Sequence, residues 1–383
     1  MSQLLLGQPP KLCLRRPVFV RASPLLCNGL SSSSLQSPPC FIQGADPCGA
    51  DLGKLIIYTA TERTFIHLDK KVPMDLVYND GIDTLVTIGS SHGWIATLKD
   101  DGILRLQDDL NPVASDLHPK RLPLPPLVTL PHCQTRIITN VSLSSPSPEE
   151  QDCIVAVKFL GPQLSFCRPA AGESNPEWIN IRINNPCFFS SRVMFSKKDD
   201  MFRIAGSGGH LIGSWDLHKH KHTSKLLKLQ YHNLPKLSDS ERELLHSCCT
   251  SEHLVESPST GETFLVKQYK KTDEIVKGIA RLKTQSLMVF KLDDEGNAVY
   301  TDNIGDLVIF LSKSEPFCVP ASSFPGLFHS KIYLYDVDEV GIFNLSKSHY
   351  VSKIYDVGCP APYYIPPQNI SLGGLSIKVC LSF

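Results

Sequence analysis

Acidic residues are missing from the start of the chain. The first is Asp46, although Lys11, Arg15, Arg16 and Arg21 come before it. No apolar run approaches the ~18 residues that a membrane-crossing helix needs, so no membrane span is expected. Charge of one sign is not in excess. Lys and Arg number 38, Asp and Glu 38, and the formal net charge is zero. That balance speaks against a basic surface for nucleic acid, and no nucleic-acid partner is expected. Cys-x-x-Cys pairs are absent. The 13 cysteines are odd in number, and their spacing fits neither a zinc site nor a disulfide framework. Cys248 and Cys249 are adjacent and poorly placed to chelate one ion together. Scattered reduced thiols are the simpler reading. Convincing helix signals are also scarce.

What the first 45 residues do contain is arginine and serine, including the run Ser31-Ser32-Ser33-Ser34. A positive, serine-rich, acid-free leader has the composition of an organellar transit peptide. Residues 1–45 are therefore expected to be a disordered presequence. Pro9, Pro10 and Pro17 interrupt an amphipathic helix there, which keeps a plastid address open beside a mitochondrial one. A plain disordered tail on a cytoplasmic or nuclear protein is the alternative.

The rest of the chain offers short apolar runs rich in β-branched residues. Among them are Leu55–Tyr58, Trp94–Leu98, Ile154–Phe159, Phe264–Tyr269, Leu287–Leu292, Leu307–Leu311 and Lys331–Tyr335. Turn chemistry separates them, as strands require. Lys99-Asp100-Asp101-Gly102, Ser207-Gly208-Gly209 and Asp293-Asp294-Glu295-Gly296-Asn297 all supply residues that tolerate positive φ. One helix is expected, over Ser238–Cys249, where Ser238 and Glu241 form a capping box. An all-β chain of this length exceeds a sandwich or a single barrel. Four-stranded units of ~40–50 residues give a β-propeller of six or seven irregular blades. The propeller is expected over residues 46–370, with Ser371–Phe383 as a fraying tail.

Several segments resemble one plant family. Ser91-His92-Gly93-Trp94-Ile95-Ala96 is followed by Asn111-Pro112 and by Arg121-Leu122-Pro123-Leu124-Pro125-Pro126-Leu127. Leu254-Val255-Glu256-Ser257, Gly261–Val266 and Met288–Asp293 come later, in the same order as in that family. The most specific stretch is Gly305-Asp306-Leu307-Val308-Ile309-Phe310-Leu311 with Phe317-Cys318-Val319, Phe324-Pro325-Gly326, Lys331-Ile332-Tyr333 and Gly341-Ile342-Phe343. Over roughly residues 80–370 the chain resembles the domain of unknown function 295, the F-box-associated or KIB-type β-propeller. Within it, the chain looks like the organellar subgroup that carries a presequence in place of the F-box. The resemblance implies a plant protein, a propeller and mitochondria, and it implies no particular activity. Residues 41–80 show no helical F-box pattern, so an adaptor role in a ubiquitin ligase is not carried over.

Catalytic motifs are weak. Gly89-Ser90-Ser91-His92-Gly93 is a literal G-x-S-x-G. A nucleophile elbow must lead into a helix, whereas here a strand and a hairpin follow. His218, His220 and His222 alternate with Lys219 and Lys221. An extended strand would set the three rings on one face about 6.6–6.8 Å apart, yet no carboxylate is placed to orient them. Lys120-x-x-Pro123-x-x-Pro126 matches a polyproline ligand pattern, and a structural edge segment explains it as well. Gly206-Ser207-Gly208-Gly209 lacks the βαβ setting of a dinucleotide loop. Cys380, fourth from the end, is not followed by a prenylation pattern. No catalytic, cofactor-binding or metal-binding residue is nominated. A non-enzymatic propeller that binds an unknown protein partner is expected. An enzyme with its site in the propeller channel is the alternative, and a ubiquitin-ligase substrate adaptor ranks behind it.

Overall fold

A computed structural model of the chain describes residues 36–49, 51–78, 86–130, 137–170, 176–217, 225–276, 278–337, 339–347, 349–353 and 362–370. They belong to a compact unit spanning Leu35–Phe383. Six antiparallel or mixed sheets make up an all-β, six-bladed propeller, the lower of the two expected blade counts.

The first blade contains β1 (Cys40–Pro47), β2 (Leu52–Thr59) and β3 (Thr64–Pro73). β4 (Val86–Ser91), β5 (Trp94–Leu98), β6 (Ile103–Gln107) and β7 (Arg121–Pro126) form the second. The third holds β8 (Ile138–Leu143), β9 (Val155–Phe159), β10 (Gln163–Cys167) and β11 (Trp178–Arg182). In the fourth are β12 (Val193–Ser196), β13 (Met201–Ala205), β14 (Leu211–Trp215) and β15 (Lys225–Lys228). After β16 (Gln230–His232) comes the helix α1 (Asp239–His246), capped as its sequence dictates by the reciprocal Ser238 and Glu241 bonds. β17 (Cys249–Glu256), β18 (Thr263–Val276), β19 (Ile279–Leu292) and β20 (Asn297–Thr301) then build the fifth blade, with β16 along its outer edge. The sixth contains β21 (Leu307–Leu311), β22 (Phe317–Pro320), β23 (Lys331–Tyr335), β24 (Val340–Asn344) and β25 (His349–Lys353). A last strand, β26 (Tyr364–Ile365), pairs with β1 and closes the ring.

One expected boundary shifts. The segment expected to be a leader, 1–45, overlaps the fold. Cys40, Phe41, Ile42 and Ala45 are buried in β1, and Gln36 bridges to Asn369. Residues 1–45 carry seven serines and three arginines without an acid, but Cys40-Phe41-Ile42 near their end is an apolar run that a sheet can bury. Residues 1–35 and the expected tail Ser371–Phe383 lie outside the described residues.

The sixth blade departs from simple order. β21 enters as the second strand, β22 returns as the innermost, and β23 pairs parallel with β21 on its other side. The loop from β21 to β22 is thereby aimed at the propeller axis.

Apolar clusters fill the seams between blades. Trp94, Leu106, Val141 and Phe159 join the second and third blades. Phe166, Phe188, Phe202 and Trp215 join the third and fourth. Leu254, Leu265 and Phe290 meet Met194 and Ile212 between the fourth and fifth, and Val289, Ile309 and Phe343 lie between the fifth and sixth. Blade one packs on blade six through aromatic rings. Phe41 lies 4.8 Å from Tyr58 and 4.3 Å from Tyr335, centroid to centroid. Phe310, Tyr333 and Tyr364 complete the cluster. Such burial is the main drive holding a propeller closed, at about 25 cal/mol per Å² of apolar surface removed from water.

Candidate functional site

The innermost strands β4, β8, β12 and β17 stand side by side, and β22 follows β17. A polar lining is expected of a channel between such strands. In this chain the β21–β22 loop, Ser312–Pro316, reaches into the channel. The backbone NH of Glu315 donates to Ser90 O in blade two (2.7 Å), and that of Lys313 to Pro362 O ahead of β26 (3.2 Å). Ser312 O accepts from Arg192 Nη1 at the entry to blade four (2.6 Å), and Ser312 Oγ from the Tyr364 amide (3.1 Å).

Glu315 is the hub of this plug. Its Oε2 accepts from Ser91 Oγ (2.5 Å), and its Oε1 from Ser142 Oγ (2.7 Å) and the Phe195 amide (3.0 Å). One carboxylate thus ties blade six to blades two, three and four. Burial pushes its pKa up to about 7, against the pull of these donors. Ser91, the serine of the G-x-S-x-G string, is buried. Besides donating to Glu315, its Oγ accepts from the Leu143 amide (3.1 Å). His92 and Gly93, with φ of 52° and 87°, form the two-residue turn between β4 and β5. Two positive φ values are what a type I′ hairpin needs. Burial pushes the His92 pKa down to about 4, so this imidazole is neutral around pH 7.

A second polar cluster lies where blades five and six meet. Arg192, Ser251, His253, Gln268, Lys270, Asp336 and Glu339 wall a cavity of about 30 Å³ there. Lys270 Nζ pairs with Asp336 Oδ2 at 2.7 Å. Burial alone would raise the Asp336 pKa, but Lys270 and Lys313 reverse the effect and hold it well below the usual carboxylate range. Glu339 accepts from the Thr284 amide (2.9 Å), the Thr284 hydroxyl and Gln268 Nε2 (3.3 Å). Burial, helped by Arg192 and Lys270, pushes His253 down to about 3.

A groove of about 450 Å³ runs between blades three and four. Phe195, Phe202 and Trp215 supply apolar wall. Glu150, Asp152 and Asp200 bring three carboxylates and Lys197 one ammonium. The loops that carry these charges follow β8 and β12, so the groove opens where inner strands end.

The histidines His218, His220 and His222 lie outside the described residues, as does Cys380. The Pro-rich segment is β7, the outer edge of its blade, where proline's missing NH costs no ladder bond. Gly206–Gly209 turns between β13 and β14, with φ of 84° and 71° at Gly208 and Gly209. The described cysteines are free thiols, and among the described residues no cluster of three metal-type ligands occurs. Sequence reading passed over Glu315, Arg192 and His253. Each stands alone in its local sequence, and only the ring brings Glu315 to Ser91, 224 positions away.

No curated protein sequence matches the chain. Among solved structures, a functionally unknown protein from Desulfotomaculum acetoxidans is 11% identical, with 85% of this chain and 97% of that one covered and a TM-score of 0.36. The periplasmic gluconolactonase PpgL of Pseudomonas aeruginosa gives 11% identity, 85% and 82% coverage, and a TM-score of 0.36. Raptor of Chaetomium thermophilum gives 11% identity over 72% of this chain, a TM-score of 0.34, and a match to only 21% of its own length. The family profile of the KIB1-4 β-propeller matches residues 65–352, three quarters of the chain. With its six blades and the ordered motifs from Ser91 to Phe343, the chain belongs to the KIB1-4 β-propeller family.

Proposed function

We propose that this propeller is a non-enzymatic protein-interaction module of a plant organelle, most simply the mitochondrion. The plugged axis carries the reading. Ser312–Pro316 fills the place where a channel ligand would meet residues from several blades, and Glu315, the hub there, has its acceptors engaged by Ser91, Ser142 and Phe195. Recognition then falls to the faces, where loops vary on a rigid scaffold. The groove between blades three and four is suited to a protein segment with a basic side chain. Its aromatic wall offers cation–π contact, and three carboxylates stand there against one ammonium. The acid-free, arginine- and serine-rich start of the chain supports the organellar address.

The test is native purification of the full-length chain, tagged at its C-terminus, from fractionated plant cells. The expected result is a mitochondrial pool with a trimmed N-terminus and a protein partner in fixed ratio. That partner should be lost from the Asp152→Lys, Asp200→Lys double variant. An intact Met1 in the cytosol would contradict the address. A partner held equally by the double variant would contradict the groove, and turnover of a small molecule that survives purification would contradict the non-enzymatic reading.

A further inference from the structure

The seam between blades one and two holds a groove of about 330 Å³, inside the span of about 300–1,000 Å³ usual for small-molecule sites. Blade one contributes Asp75 to it, and blade two Lys99, Arg105, Gln107 and Arg121. The strands fix their order. Gln107 pairs with Arg121 across β6 and β7, and Lys99 directly follows Leu98, which pairs with Leu104 at the other end of β6. Arg105 stands between Gln107 and Lys99. It shares one face of β6 with Gln107, about 6.6–6.8 Å away.

The Gln107 end accepts hydrogen bonds. Gln107 is 7% exposed, and its Nε2 donates to Thr97 Oγ1 (2.6 Å), whose own hydrogen goes to Arg105 O (3.5 Å). Gln107 Oε1 receives no bond from a described residue and is not enclosed by protein, so it opens on the groove. Asp75 adds a carboxylate, close enough to act on the charge of Arg121. Its Oδ1 is buried, so Oδ2 is the oxygen that reaches the groove, and such an oxygen accepts more than one bond. Arg121 is balanced there by the buried Asp109, which receives its Nε and Nη2. The other end donates. Lys99 is exposed and forms no ion pair among the described residues. Arg105 commits Nη1 and Nη2 to Asp101 and the Ile103 carbonyl, while its Nε donates to no described residue.

Acceptors at one end, donors at the other and an apolar wall of Pro73, Leu76 and Pro123 match a zwitterion. A simple anion would be repelled by Asp75, and a simple cation by Lys99 and Arg105. At about 10–15 Å³ per water-sized group, the space takes every heavy atom of a medium-sized amino acid and leaves room for bridging water. We propose that this groove binds a free α-amino acid with an apolar side chain, leucine being the representative, with its ammonium on Gln107 Oε1 and Asp75 and its carboxylate on Arg105 Nε and Lys99. No covalent step is involved. The site is independent of the groove between blades three and four.

The test is calorimetric titration of the full-length protein at neutral pH with three probes of one shape. They are leucine, 4-methylpentanoate, which lacks the ammonium, and 3-methylbutylamine, which lacks the carboxylate. One site is expected, with leucine at least about tenfold tighter than either analogue, the worth of one hydrogen bond to a charged group. Lys99→Met should weaken leucine and 4-methylpentanoate and leave 3-methylbutylamine unchanged. Asp75→Asn should weaken leucine and 3-methylbutylamine and leave 4-methylpentanoate unchanged. A purely structural role for either residue would not produce that crossed pattern. Equal binding of leucine and either analogue by the wild-type protein would overturn the proposal without recourse to variants. So would no saturable binding of leucine, or equal weakening of all three probes in a variant that keeps the wild-type melting temperature.

Discussion

Blade one is held on its two sides by different physics. Against blade six it presents Phe41, Tyr58 and Tyr364, which meet Tyr335 and Phe310 in one aromatic cluster, and Tyr335 donates to Ile42 O at 2.6 Å. Against blade two the described contacts are mostly polar. Lys70 Nζ donates to Ala114 O (2.7 Å), and Asn111 Nδ2 to Gln368 Oε1 (3.1 Å). A groove of about 330 Å³ lies there, walled by Asp75, Lys99, Arg105 and Arg121 among others. Ile95 and Leu110 alone carry blade two into the apolar cluster of blade one. Dispersion and apolar burial scale with area and need no water-competent partner. Polar pairs return only a small net gain. The ring is therefore expected to open first between blades one and two, although the described ends of the chain meet inside blade one, where β26 pairs with β1.

Breaking the aromatic seam should have the largest effect. Phe41→Ala is expected to cost about 3–5 kcal/mol, read as a lower midpoint in chemical denaturation. Next comes the plug. Glu315→Ala strands the hydroxyls of Ser91 and Ser142 and the Phe195 amide, and a loss of about 2–3 kcal/mol is expected. Glu315→Gln should recover most of it, because burial already favours the neutral form of this side chain. The polar seam should yield less. Arg121 lines that seam's groove from blade two, and within the same blade Asp109, 3% exposed, receives its Nε and Nη2 at 3.0 and 2.7 Å. Arg121→Ala should cost about 1–2 kcal/mol, and hydrogen exchange in β6 and β7 should accelerate before that in β1 and β2. Equal protection loss on both sides of blade one would erase the contrast.

Acid sensitivity sharpens the picture further. His253 and His92 have folded pKa values of about 3 and about 4, below the ordinary 6.5. The unfolded chain binds more protons between those values and 6.5, so their contribution to stability falls as pH drops through that window. Glu315, raised to about 7 from 4.5, acts in the opposite sense, losing stability as pH rises from 4.5 to 7. His253→Asn should flatten the acid limb of a stability profile, and Glu315→Gln should steepen it. The smallest effect on stability is expected of Asp152→Lys on the exposed groove rim, within about 0.5 kcal/mol.

Much of the wheel was legible in the sequence. Asp-Gly and Gly-Gly turns marked hairpins, and the capping box at Ser238 marked the one α-helix among the described residues, because these are local devices with local causes. Strand length was less legible. β18 and β19 run 14 residues each, well past the expected Phe264–Tyr269 and Leu287–Leu292. The far half of β18 is mostly polar and exposed and that of β19 mostly half-buried, and a long two-stranded ribbon needs no buried face along its whole length. β1 was hidden inside a window whose arginines and serines pointed elsewhere. The plug and the His253 cavity were out of reach for a different reason. Arg192 and Ser312 are 120 positions apart and Ser142 and Glu315 173, and no spacing rule links residues that only a closed ring brings together.

The most direct measurement is photo-crosslinking in intact cells, with the reactive side chain placed in turn at Asp152 in the groove between blades three and four and at Lys99 in the groove between blades one and two. A discrete protein adduct is expected from position 152, competed away by a basic peptide, and none from position 99. Adducts of equal yield from both positions, or none from 152 while the purified chain turns over a small molecule, would contradict an interaction module that works through that face.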